Sequence, residues 1–102
     1  MASSEEYEMA DVRVTQPHNL SVEEAKSKMS DFEDMMKKYG VSAKWSGGHA
    51  DLKGTGVKGG IDVTGNDVKV ELKLGMLAKA AGIDSARLQN SISRRLKEAF
   101  SA

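Results

Sequence analysis

Residues 57–74 read VKGGIDVTGNDVKVELKL, and this stretch decides the fold. Before its centre the apolar residues fall on odd positions: Val57, Ile61, Val63. After it they fall on even positions: Val68, Val70, Leu72, Leu74. A period of two is a strand signal, and the switch of parity requires a turn. Gly65-Asn66 stands at the switch, which predicts a two-residue type II′ loop with Gly at the first central position. Folded there, Val63 faces Val68, Ile61 faces Val70 and Val57 faces Leu74 on one side. Asp62, Thr64, Lys69, Glu71 and Lys73 fall on the other. A slip of one residue would turn the whole apolar set into water, so one face of this hairpin must be covered.

The cover is predicted upstream. Ser21 and Glu24 form an S-x-x-E capping box, in which the hydroxyl caps the Glu24 N–H and the carboxylate reaches back to the Ser21 N–H. Ala25, Met29, Phe32, Met36 and Tyr39 then recur at spacings of four and three, one apolar stripe of a helix over Val22 to Tyr39. Glu23 and Glu24 suit the positive end of its dipole, and Lys37 and Lys38 the negative end. Gly40 follows as a stop. A stripe of Met and Phe can mark a ligand surface, but core packing is the commoner use.

The remaining strands read by the same alternation. Met9 to Gln16 places Val12 and Val14 on one side and stops near Pro17, which cannot donate to a ladder. Val41 to Ser46 places Val41, Ala43 and Trp45 on one face, with Trp45 expected to be substantially buried under a helix. A turn at Gly47-Gly48 then sets Trp45 opposite Ala50, Ala43 opposite Leu52 and Lys44 opposite Asp51. Past Gly75, MLAKAA begins a short helical turn that breaks near Gly82. Asp84 or Ser85 caps a last helix striped by Leu88, Ile92, Leu96 and Ala99 or Phe100.

The expected architecture is α+β: a two-layer sandwich of order β-α-β-β-β-β-α, with a mostly antiparallel five-stranded sheet and two helices on one face. The first strand is expected beside the last and antiparallel to it; a place beside the second strand is the other allowed position. Residues 1–8, with three Glu and two Ser, read as a disordered tail, and residues 9–102 as a single α+β domain.

Composition excludes several functions. The chain has no Cys, hence no disulfide scaffold, thiol nucleophile or Cys-ligated zinc. Fifteen basic residues balance fifteen acidic ones, which argues against general nucleic-acid binding. No run approaches the ~20 apolar residues of a membrane span, and the acidic start MASSEEYEM does not order its residues as a secretory signal does. A cytoplasmic location is the expectation.

Some features rest on order and spacing along the whole chain. They are His18-Asn19-Leu20 before Glu24-Ala25, Tyr39-Gly40-Val41, Trp45, Gly56-Val57-x-Gly59-x-Ile61-x-Val63 and Val70-x-Leu72-x-Leu74-Gly75. Through these, Val12 to Phe100 resembles the polyhydroxyalkanoic acid system family, small bacterial proteins encoded near polyhydroxyalkanoate synthesis genes. Gly82 and the Asp84-Ser85 cap depart from it by interrupting what is a more continuous segment in that family. The resemblance implies an accessory role in polymer-granule biology, by genomic association, and no established activity.

No catalytic constellation stands out, and neither a cofactor nor a metal site is expected. KGTGVKGG has the glycines of a phosphate loop, but such a loop opens a helix, and here a strand follows. His18 and His49 lack the spacing of a metal pair; His18 reads as closing the junction between strand and helix. Arg87, Arg94, Arg95 and Lys97 could form a basic face on the last helix, with solvation the blander explanation. The outer sheet residues Lys44, Asp51, Asp62, Lys69, Glu71 and Lys73 carry mixed signs, which suits solubility. Leu74 to Ile83, LGMLAKAAGI, is the most apolar stretch, and Lys79 is its one charge. Leu77 is expected to close the core. The competing expectation is an exposed patch of Met76, Leu77 and Ala80, with Arg87 and Arg94 nearby, that meets a polyhydroxyalkanoate granule or a granule protein. Two functions follow, a non-enzymatic accessory module that binds a granule or protein, or a small carrier holding an apolar ligand between helices and sheet, with an enzyme of unknown type behind them.

Overall fold

The computed structural model describes residues 11–101. The tail expected over residues 1–8, and Met9 and Ala10 at the start of the first strand, lie outside the described residues. Five strands form one antiparallel sheet: β1 (Val12–Pro17), β2 (Ser42–Ser46), β3 (His49–Gly54), β4 (Val57–Val63) and β5 (Asp67–Leu74). Their order across the sheet is β1-β5-β4-β3-β2. In the central hairpin Val57 pairs with Leu74, Ile61 with Val70 and Val63 with Val68. Trp45 pairs with Ala50, Ala43 with Leu52 and Lys44 with Asp51 in the hairpin of β2 and β3.

The turn of the central hairpin differs from expectation. Among the described residues no non-glycine has positive φ, and the positive-φ glycines are Gly40, Gly47, Gly56 and Gly82. Gly65 is not one of them, so the loop is not type II′. Thr64 closes it instead. Its hydroxyl accepts the N–H groups of Asn66 and Asp67 at 3.1 Å each and donates to the Asp67 carboxylate at 3.0 Å. A side chain that ties its own turn removes the need for the glycine's freedom.

Four helical segments, rather than two, give the order β-α-α-β-β-β-β-α-α. They are α1 (Val22–Ser27), α2 (Ser30–Lys38), α3 (Met76–Ala80) and α4 (Ser85–Phe100). The first expected helix divides because its hydrogen bonds tighten at Lys28 and Met29, where Met29 N–H donates to the Lys26 carbonyl three residues back. The jog keeps Met29 fully buried with Ala25 and Phe32. It also turns Met35 inward and leaves Tyr39, assigned to the stripe by spacing, 42% exposed. Two helices end alike. Gly40 N–H donates to Lys37 O and Val41 N–H to Met36 O; Gly82 N–H donates to Lys79 O and Ile83 N–H to Ala78 O. Both are Schellman closures around a glycine at φ +75 and +86.

One core joins the elements. Val12, Leu52, Ile61, Val68, Val70 and Leu72 from the sheet cluster with Met29, Phe32, Met36, Leu88, Ile92 and Leu96 from the helices. Trp45 faces this core but is only half-buried, because β2 is an edge strand. Its indole N–H donates to Glu33 at 3.0 Å, and the Lys26 ammonium stands 5.1 Å from its ring centre, a cation–π contact.

Candidate interaction surface

The exposed apolar surface forms at one end of the sheet. The turn between β3 and β4 is held at Gly56, whose φ of +73 an L side chain rarely adopts. A Cβ there would stand 2.8 Å from the Ala78 backbone nitrogen. The Gly75 N–H donates to the Gly56 carbonyl at 2.7 Å. That close backbone approach seats α3 directly over the turn, and it accounts for Gly56 of KGTGVKGG without any phosphate. A five-residue helix lying on a turn buries one side. Ala78 takes that side at 2% exposure. Met76 is left 87% and Leu77 65% exposed, and Ala80 also faces solvent. The expectation that Leu77 closes the core is thereby overturned. Leu74 and Ala78 fill that place, and the Schellman turn directs Ile83 back to the core edge.

Tyr39, Ala81 and Ile83 line an open cleft of about 570 Å³ between the end of α2 and the start of α4. Arg87 lines the same cleft. Arg94, seven residues on and two turns along α4, is exposed but does not line it.

Register adds a feature that residue counting missed. Lys58 lies opposite Lys73 on one side and opposite Lys53 on the other. All three are exposed. The mixed-sign outer face thus has a single-sign row next to the turn that carries α3. The signal was present in the central hairpin, whose register alone sets Lys58 beside Lys73. The rest of that face is mixed: Asp62 lies opposite Lys69, and His49 bonds Asp62 at 2.7 Å and Asp51 at 3.0 Å. The hydrogen bond to Asp62 raises the His49 pKa above its ordinary value; burial opposes the shift and Asp51 adds to it. Among the described residues no group of three or more His, Cys, Asp or Glu side chains could hold a metal ion. Among them, too, no helix is long and apolar enough to cross a membrane.

Fold and surface together define a small α+β domain with one continuous core cluster, one uncovered sheet face and an exposed apolar end. Residues 12–100 match the family described as "Putative polyhydroxyalkanoic acid system protein", and the chain belongs to that family. No curated protein and no solved structure matches it.

Proposed function

We propose that this chain is a non-enzymatic accessory protein of the polyhydroxyalkanoate system that docks on the polymer granule through its α3 end. The observation that carries the proposal is the exposure of Met76 and Leu77, adjoining residues of α3 that face water while Ala78 of the same helix is buried. Contiguous apolar side chains in water are a cost that contact with an apolar surface removes. Membership of the family supports the choice of the granule as that surface. Ala80, Tyr39 and Arg87 border the contact, and the Lys53–Lys58–Lys73 row flanks it. The alternative, a carrier with an apolar ligand between helices and sheet, needs free space where a continuous cluster of buried side chains now lies.

The test is Leu77→Asp. Because Leu77 is exposed and its Cβ is kept, stability should change by no more than about 0.5 kcal/mol. Wild-type protein should co-sediment with washed polyhydroxyalkanoate granules, and the variant should stay in the supernatant. A folded variant that sediments like wild type would overturn the proposal, as would a wild type that never sediments.

A further inference from the structure

We propose that the cleft at the opposite end of the sheet binds a small carboxylate carrying a short apolar chain. The proposal is independent of granule docking. His18 sits between β1 and α1 and is only 8% exposed. Its backbone N–H donates to the Asn66 carbonyl at 2.9 Å. Its Nδ1 accepts the Leu20 N–H, also at 2.9 Å, so the ring does close the strand–helix junction. That bond has a consequence. An Nδ1 that accepts must keep its lone pair, so the hydrogen of the neutral ring is on Nε2. Nε2 is buried and has no hydrogen-bond partner among the described residues. A buried donor without an acceptor is costly, and such sites call for a missing partner.

The surroundings select the partner. The ring lines an open cleft of about 500 Å³ and stacks on Phe100, with centroids 5.3 Å apart and planes 23° from parallel. Lys28, Asn19 and Asn66 also line the cleft; one brings a cation and two bring carboxamides. No Asp or Glu is among the described residues that line it. A cleft lined by an imidazole, a lysine and two asparagines, with no carboxylate among the described lining residues, suits a ligand that only accepts and is negative. Leu20, Pro17 and Phe100 supply an apolar wall, which favours a carboxylate with an alkyl chain over a bare oxyanion. Phe100, the last residue of α4, packs against the core edge and stacks on the imidazole, so binding requires its ring to shift before an oxygen can reach the buried Nε2.

The experiment is a titration of ¹⁵N-labelled protein with sodium butyrate, followed at the His18 ring nitrogens and the backbone amides of Leu20 and Asn66. Sodium acetate, sodium phosphate and sodium chloride are titrated in parallel. Butyrate should give saturable shifts at His18 and Asn66. Acetate should bind about threefold or more weakly, because it lacks two methylenes. Lys28→Ala, an exposed substitution whose amide spectrum reports its fold, should weaken butyrate about fivefold or more by loss of a charge-assisted bond. Leu77→Asp should bind butyrate as wild type does, which separates this site from granule docking. The proposal is overturned by non-saturating shifts equal to those in sodium chloride, by acetate or phosphate binding as tightly as butyrate, or by an unchanged affinity in Lys28→Ala.

Discussion

His49 shows how one residue on an edge of the hairpin couples the fold to pH. The register of β3 with β4 sets it directly opposite Asp62, while Asp51 follows two residues along the same face. Both ring nitrogens therefore meet carboxylates, at 2.7 and 3.0 Å. Lys69 lies across from Asp62, and Ser46 across from His49. The Asp62 bond raises the folded pKa above 6.5. The protonated ring is thus favoured by folding, and its contribution is fully present below the unfolded value. It is lost as pH rises through the higher folded value. Chemical denaturation should find the protein less stable at about pH 8.5 than at about pH 6, with His49→Ala flattening that difference. An unchanged pH dependence in the variant would assign the effect to other groups. The side chain is 37% exposed, so solvent screening keeps the effect small.

At the scale of the element, the start of α1 shows what capping sequence can and cannot specify. The Ser21 hydroxyl accepts the Glu24 N–H at 3.2 Å, as the S-x-x-E spacing predicts. The return bond differs: the Glu24 carboxylate accepts from that same hydroxyl at 3.1 Å rather than from the Ser21 N–H. Both bonds therefore run through one oxygen. Ser21→Ala and Glu24→Ala should each cost up to about 0.5–2 kcal/mol. The double variant should cost less than the sum, because either single change already breaks the shared bond. A double-mutant cycle by urea denaturation checks this, and full additivity would show two independent caps.

Across the whole molecule, the helices and one sheet face share a core, and the other sheet face is left to charge. On that face Lys58 is flanked by Lys53 and Lys73. Like charges directly opposite destabilise a sheet by roughly 0.2–1 kcal/mol per pair. Lys58→Glu turns two repulsions into two attractions and should raise stability by about 0.5–1 kcal/mol at low salt. The gain should shrink in about 1 M salt, where the screening length falls to about 3 Å. A loss of stability would mean that neighbouring carboxylates already neutralise the row. The uncovered face and the exposed α3 end meet at the β3–β4 turn, which joins the charged and apolar parts of the surface.

Local chemistry in the sequence determined the strands, their hairpin partners and the helix stops. Parity switched at a turn in residues 57–74, and glycine stood where the chain needed positive φ at Gly40 and Gly82. The antiparallel meander of β2 to β5 followed, because a period-two face admits one register; of the two places open to β1, the tertiary structure decided for the one beside β5. Tertiary structure decided what periodicity does not encode. Tyr39 and Leu77 stand at positions whose spacing or composition reads as core, yet α2 ends before one, and the seat of α3 on Gly56 turns the other outward. Lys53, Lys58 and Lys73 become neighbours only when three strands pair. The open nitrogen of His18 arises where β1, the β4–β5 turn and the end of α4 converge, three segments far apart in the chain. Elements form from contacts between near neighbours, which a sequence displays. Surfaces and clefts form from contacts between distant segments, whose orientation follows from packing.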